Sequence, residues 1–192
     1  MKEDLRVKKT KNALRKALST LLKTKSLDKI TIMEICENAM VNRVTFYSHY
    51  EDKKCLFKYY INSITNKVIE KCYISARPYE GLQRATTFFL KLFDELVLCM
   101  DYISEESMNN IEYMFYLIYD TQHQASRLIK CYMVDSKVFR NNKYSSDIII
   151  EFLFGATSNM ARNYFTEENL AKKVLIKEQF ALLIENFVRG VI

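Results

Sequence analysis

Glycine and proline punctuate most protein chains, and this chain contains very few of either. Its 192 residues include only three glycines and one proline. Sheet proteins need such residues at their frequent turns, so this scarcity favours long helices joined by short polar connections. The hydrophobic content of 49% is high enough to build a buried core. We therefore predict an all-α fold.

Apolar residues recur at the spacing of one helix face along most of the chain. The first stripe has the 0-3-4-7-8 spacing of an amphipathic helix and consists of Leu14, Ala17, Leu18, Leu21 and Leu22. A longer stripe extends from Ala85 to Met100, and two further helices are predicted at about residues 146–164 and across residues 180–188. The pattern predicts a small N-terminal head joined to a larger helical bundle.

The excess of positive charge is concentrated in the N-terminal third of the chain. Residues 1–60 contain 14 lysines and arginines against 7 acidic residues, whereas residues 61–192 contain 15 against 16. Such an asymmetry is typical of a head that binds a polyanion, attached to a nearly neutral body. A basic face that merely contacts solvent is the other interpretation of the charge alone.

A capping box occurs where the second predicted helix begins. Thr31 is followed three residues later by Glu34, so the hydroxyl can accept from the Glu34 amide while the carboxylate reaches back. Ile30 before the cap and Ile35 at the fourth helical position make the matching hydrophobic staple. The helix that they open is only about two turns long, and Asn42 is suited to cap the next one.

The helix after Asn42 has two different faces. Phe46 and Tyr50 are four residues apart, so they share a face and can pack on the two preceding helices. Arg43, Val44 and Tyr47 point elsewhere, toward solvent in the free protein. A short helix with an apolar anchor behind and mixed donors in front suits the major groove of DNA.

The stretch TIMEICENAMVNRVTFYSHYEDKKCLF resembles part of the N-terminal DNA-binding domain of the TetR family of bacterial transcriptional regulators. The family pattern is a Thr-capped helix ending in Ala-Gly-Val-Ser, a recognition helix ending in Tyr-x-His-Phe, and a Lys one turn later. The residues that fit are Thr31, Ala39, Val41, Phe46, Tyr47, His49, Tyr50, Lys53 and Leu56. The resemblance covers residues 5–60 in detail and the rest of the chain only at the level of the fold.

Two positions depart from the family pattern. Met40 stands where the family usually has a glycine in the turn, and a non-glycine residue at positive φ costs about 1 kcal/mol or somewhat more. Val44 stands where a small residue is common, and we expect it to favour a thymine methyl group. Neither departure removes a hydrogen-bond donor, so DNA binding is still expected, and the departures bear only on the operator sequence.

The resemblance implies a set of DNA contacts and a division of the chain into two domains. Residues 1–60 would form the helix-turn-helix DNA-binding domain, and residues 61–192 the helical effector-binding and dimerisation domain. Tyr47 and Lys53 would hold phosphates. The residues around the cap of the second helix would lie near the DNA backbone, and residues 43–45 would face base edges. The full predicted set is Lys29, Thr31, Asn42, Arg43, Val44, Thr45, Tyr47, His49 and Lys53. His49 would either contact a phosphate or serve in packing.

Aromatic stripes in the second domain predict an effector pocket. Its predicted lining comes from two elements and consists of Phe88, Phe89, Phe93, Tyr113, Tyr116 and Tyr119. Tyrosine hydroxyls need hydrogen-bond partners when buried, and few charged neighbours are available, so a cavity with phenols at its edge suits these residues. Such a cavity would take a flat or mostly apolar small molecule. A filled core is the alternative interpretation.

The last two predicted helices keep apolar residues beyond a single stripe, which indicates a second packed surface. We predict that they form the interface of a homodimer, in which small residues allow close helix crossing. The predicted interface residues are Phe152, Gly155, Ala156, Asn159, Phe180, Ile184 and Phe187.

An enzyme has little support in this sequence. The two histidines, His49 and His123, have no nucleophile or metal partner at motif spacing, and three isolated glycines cannot form a phosphate-binding loop. The five cysteines are never closer than 17 residues apart, so we expect reduced, buried thiols and no metal site. No cofactor is predicted.

A membrane partner is not expected either. The most apolar stretch is interrupted by Glu151 and is far shorter than the ~20 residues that a membrane span requires. The opening residues lack the apolar segment of a secretory signal, so we expect a cytoplasmic protein.

These observations together predict a transcriptional regulator. We expect a ligand-responsive repressor that binds double-stranded DNA at a palindromic operator as a homodimer, and that responds to a small hydrophobic or aromatic effector. The alternative is a co-regulator of the same fold whose second domain binds a protein partner instead of a small molecule.

Overall fold

The computed structural model describes residues 5–100, 122–132 and 144–191. These residues form eight helices and no strand, which confirms the predicted all-α fold. The helices are α1 (Leu5–Leu21), α2 (Ile32–Ala39), α3 (Arg43–Tyr47), α4 (Lys53–Ala76), α5 (Gly81–Met100), α6 (residues 122–132), α7 (Ser146–Thr166) and α8 (Leu170–Val191). The helices predicted near residues 146–164 and 180–188 are α7 and the second half of α8.

The chain divides into two compact units, and the division falls within α4. The described residues of the first unit are 5–64, and those of the second are 65–100, 122–132 and 144–191. Within these residues no helix is both long enough and apolar enough to cross a membrane.

The first unit packs α1, α2, α3 and the start of α4 around one apolar core. The stripe predicted on α1 faces this core, with Leu14 and Leu18 fully buried. The apolar residues with at most 2% of their surface exposed are Leu14, Leu18, Leu22, Ile30, Ile35, Phe46, Leu56 and Phe57. A hydroxyl contact of 3.1 Å between Ser19 and Tyr60 also joins α1 to α4. Within α3 itself, Phe46 is the residue that this core buries.

The second unit is built on α5, which packs against both α7 and α8. The α5 stripe is buried from Ala85 to Phe93 and half-buried beyond, and Phe93 stacks on Phe180 of α8 with ring centroids 5.0 Å apart. Ile150, Leu153 and Phe154 of α7 are buried in the same unit. Aromatic and aliphatic side chains therefore fill the contact region of these three helices.

One buried carboxylate interrupts the apolar surface of α5. Glu95 accepts from Lys71 at 2.9 Å and from Lys91 at 3.0 Å. Burial acts to raise the pKa of Glu95, but these two ammonium groups outweigh it and hold the pKa below its ordinary value. Burial, with the charge of Glu95 beside it, also raises the pKa of Cys72 to about 12 and that of Cys99 to about 11. Both groups therefore remain thiols at neutral pH.

All five cysteines are free thiols in this structure. Cys36 and Cys72 are buried, as expected, but Cys55 and Cys131 are exposed. The expectation of buried thiols is therefore wrong for these two residues, because each lies on the solvent face of its helix.

Candidate nucleic-acid interface

The start of α2 is held by the predicted capping box. The Thr31 hydroxyl accepts from the Glu34 amide at 3.2 Å, and the Thr31 amide donates to the Glu34 carboxylate at 2.8 Å. Lys25 forms an ion pair with the same carboxylate, a partner that no local sequence rule identifies. The hydrogen bond from Lys25, followed by those from Thr31, lowers the pKa of Glu34 to about 2. The two staple residues, Ile30 and Ile35, are fully buried.

The turn between α2 and α3 has left-handed backbone geometry at Met40. Its φ is 52° and its ψ is 45°, as expected from the family position at which it stands. The Val41 amide donates to the Cys36 carbonyl at 3.0 Å, and the Met40 amide donates to the Glu37 carbonyl at 3.1 Å. These two bonds form a Schellman motif, which normally has glycine at the left-handed residue. The Met40 side chain is 94% exposed and adds no packing in return.

The short helix α3 begins at the predicted cap. The Asn42 side chain accepts from the Val44 amide at 2.9 Å. Phe46 is fully buried, and Tyr50 just after the helix is 7% exposed, with their ring centroids 6.0 Å apart. This confirms that the two aromatic residues share the inner face and anchor the helix.

The outer face of α3 contains the residues predicted to meet DNA. Arg43 is exposed, Val44 is 76% exposed and Tyr47 is 49% exposed. Thr45 is half-buried, and so is His49, whose ring lies edge-on to Tyr50 at 6.5 Å. The outer surface of this helix therefore offers a guanidinium, two methyl groups and a phenol.

Lys53 makes contacts that the sequence pattern does not indicate. Its Nζ donates to the carbonyls of Asp28 at 2.8 Å and Ile30 at 2.7 Å. The first turn of α4 is thereby tied to the segment that precedes α2, next to the exposed residues Lys29 and Thr31. Because an ammonium group has three N–H donors, two are used here and one is left for an acceptor outside the chain.

The predicted DNA-contact residues thus come together in the first unit, on the start of α2, on α3 and its two ends, and on the first turn of α4. The electrostatics of this unit favour an anionic partner. Residues 5–64 contain 13 lysines and arginines against 5 acidic residues. Among the described residues, no group of three or more His, Cys, Asp or Glu side chains could hold a metal ion.

The three phenylalanines of the predicted effector pocket are buried in the second unit. Phe88 and Phe89 lie edge to face with centroids 5.3 Å apart, and Phe93 contacts both Phe180 and Tyr164. The other predicted lining residues, Tyr113, Tyr116 and Tyr119, lie outside the described residues.

The predicted dimer residues of α7 lie on one face of the helix. Phe152 is 57% exposed, Asn159 is exposed, and Gly155 and Ala156 between them are half-buried. A Cβ atom added to Gly155 would meet no atom within 4 Å, so this face is open in the single chain. Phe152 also stacks on Phe187 of α8, with centroids 5.0 Å apart.

The predicted dimer residues of α8 are divided between two environments. Phe180 and Ile184 are only 2% and 3% exposed, because they pack inside the second unit. In the second half of this helix the exposed apolar residues are instead Leu182 and Leu183, each 60% exposed, beside the half-buried Phe187. Apolar residues surround α8 too evenly for the sequence alone to separate its core face from its outer face.

Comparison with known proteins finds similarity in structure alone. The sequence matches no protein-family model, and no curated protein matches it. The TetR-family repressor AlkX from Dietzia sp. strain DQ12-45-1b, implicated in biodegradation of n-alkanes, has a TM-score of 0.65 at 11% identity, covering 95% of this chain and 97% of AlkX.

Two further solved structures contain ligands. RolR in complex with resorcinol has a TM-score of 0.62 at 18% identity, covering 98% of this chain and 90% of RolR. The transcriptional regulator FadR from Bacillus subtilis, in complex with stearoyl-CoA, has a TM-score of 0.63 at 11% identity, covering 90% of this chain and 96% of FadR. The chain therefore has the fold of the TetR-family transcriptional regulators.

Proposed function

We propose that this protein is a DNA-binding transcriptional regulator. The observation that supports this function most strongly is the two-sided construction of α3. Phe46 fixes the helix in the core of the first unit, while Arg43, Val44 and Tyr47 are exposed on the other side. A helix anchored in this way can enter the major groove and present side chains to base edges.

The contacts divide into two classes. Arg43, Val44 and Thr45 read base edges, and a guanidinium at this position can donate two hydrogen bonds to a guanine. Tyr47 and the third N–H of Lys53 hold phosphates. Such contacts fix the orientation of the protein on the duplex without specifying sequence.

The remaining predicted contacts lie beside these two groups. Lys29 and Thr31 approach the DNA backbone from the start of α2. The hydrogen bonds of Lys53 hold the segment just before this helix in place. Asn42 caps α3 and so orients its first turn toward the DNA. His49 packs against Tyr50 and donates to a phosphate with its outer edge.

The active form is a homodimer that binds a palindromic operator. The exposed face of α7 around Phe152 and Gly155, with Leu183 and Phe187 of α8, forms the apolar surface through which two copies would pair. An isologous pairing through this face brings two recognition helices to one side of the duplex. Their half-sites would lie roughly 34–36 Å apart, or a multiple of that spacing.

The regulator acts as a repressor that a small molecule releases from DNA. The effector binds in the second unit beside Phe88, Phe89 and Phe93 and shifts the population toward a conformation with lower operator affinity. Two proteins of the same fold bind resorcinol and stearoyl-CoA, which supports an effector of aromatic or largely apolar character. No cofactor takes part.

The proposed function is tested by selecting bound sequences from a pool of random duplexes with the purified full chain. We expect enrichment of a two-fold symmetric site, with affinity that falls as salt rises. Arg43→Ala should relax the selected sequence, while Lys53→Ala should weaken binding to every duplex. A chain that enriches no sequence and binds random DNA no better at low salt than at high salt would overturn the function.

A further inference from the structure

The first helix of the chain has an unusual charge. Within its 17 residues α1 contains six lysines and arginines and no acidic residue. Four of the six lie in the first two turns, namely Arg6, Lys8, Lys9 and Lys11. Cations at the N-terminal end oppose the helix dipole, and like charges three or four residues apart repel one another. This arrangement costs stability in the free protein, and a polyanion bound beside the helix would remove the cost.

A row of aromatic side chains connects α1 to the end of α3. Lys11 Nζ lies 5.9 Å from the centroid of the Tyr59 ring on α4. The Tyr59 ring lies 5.8 Å from that of Tyr50, which in turn lies 6.5 Å from His49. The side of α1 that bears Lys11 is therefore linked through Tyr59 and Tyr50 to the C-terminal end of α3, where Tyr47 and His49 are proposed to meet phosphates.

Two more cations share this side of α1. Lys8 is three residues before Lys11 and Arg15 is four residues after it, so the three form one stripe along the helix. Lys8 is exposed, while Arg15 is half-buried and its Nη2 donates to Asn12 at 2.9 Å. Lys9 is also exposed, but at about 100° per residue it lies roughly on the opposite side of the helix from Lys11.

We propose, on the basis of the DNA-binding function proposed above, that Lys8, Lys11 and Arg15 form a second phosphate-binding stripe. This stripe contacts the DNA backbone beyond the phosphates met at the end of α3. It lengthens the footprint of each half-site and increases affinity for any duplex. It adds no discrimination between sequences, because phosphates are the same at every base pair.

The test compares charge removal on the two sides of α1. Lys8→Gln, Arg15→Gln and the double variant are titrated against a selected site and a random duplex over a series of salt concentrations. Affinity falls as salt rises, so the slope of log K against log salt is negative. Each lost phosphate contact should make this slope shallower by about 0.9, and the double variant should therefore have a slope shallower by about 1.8. The loss should be the same for both duplexes, leaving their affinity ratio unchanged.

Lys9→Gln is the matched control, since it removes an identical charge from the same two turns. We expect it to leave the slope within about 0.3 of the wild-type value, about a third of the change for one contact. Arg15→Lys keeps the charge and should keep most of the slope. Circular dichroism establishes that each variant remains helical, and removal of like charges is expected to stabilise α1 slightly.

If the double variant has the same slope of log K against log salt as the wild type, the proposed phosphate-binding stripe is wrong. An equal loss in Lys9→Gln would also overturn it, because the effect would then come from net charge and not from contact. If the wild-type chain itself binds no duplex, the DNA-binding function fails and the stripe fails with it. Sequence-selective binding by the wild type together with an unchanged double variant rejects the stripe alone.

Discussion

The left-handed backbone at Met40 predicts that a change to glycine stabilises the first unit. Met40 has a φ of 52° and is 94% exposed, so replacing it with glycine removes a strained Cβ and almost no packing. A left-handed conformation costs a residue with a side chain roughly 1–2 kcal/mol. Glycine also gives the unfolded chain more conformational entropy, which offsets about 0.5–1 kcal/mol of this gain in the free energy of unfolding. Met40→Gly should therefore stabilise the first unit by about 0.5–1 kcal/mol.

Met33→Gly is the matched control, because it makes the same chemical change at another exposed methionine. Met33 lies within α2, where its backbone is helical. Glycine in a helix costs up to about 1 kcal/mol relative to a good helix former. The same substitution should therefore stabilise the first unit at residue 40 and destabilise it at residue 33.

Amide hydrogen exchange of the full chain measures these effects within the first unit. The Ile35 amide donates to Thr31 and the Phe46 amide donates to Asn42, so both report on opening of this core. Met40→Gly should slow their exchange roughly two- to fivefold, since 1.36 kcal/mol corresponds to a factor of ten. Faster exchange in Met40→Gly, as in Met33→Gly, would refute the reasoning from positive φ.

Three further predictions concern other parts of the molecule. If the proposed homodimer forms, Gly155→Leu should convert it to a monomer with unchanged helicity, whereas Gly190→Leu, at another glycine with open space around its Cβ position, should leave it dimeric in sedimentation. The pKa of Glu34 is lowered to about 2, so its contribution to stability should be complete above about pH 4.5 and disappear as the pH falls toward 2; Glu34→Gln should abolish this part of the acid-unfolding curve. Lys53→Ala should weaken binding to all duplexes and speed exchange of the amides near Ile30, while Arg43→Ala should lose about 1–3 kcal/mol of sequence discrimination with unchanged exchange.

The local structure of the first unit was predictable from the sequence because short-range geometry determines it. The capping box needs only Thr31 and Glu34 three residues apart, and the inner face of α3 needs only Phe46 and Tyr50 four residues apart. The left-handed turn at Met40 was predictable from its place in the family pattern. In the first two cases the interacting groups are neighbours along one turn of chain, so spacing alone specifies the contact.

Other features follow from tertiary packing. Lys53 bonds to carbonyls 23 and 25 residues earlier in the chain, and Lys11 reaches a tyrosine on another helix. The burial of Phe180 and Ile184, with Leu182 and Leu183 left exposed, depends on which side of α8 meets α5 and α7. Periodicity shows that a helix has apolar faces but does not rank them when residues of similar hydrophobicity surround it. Only the packed neighbours decide which face is inside, because burial is a relation between helices and not a property of one.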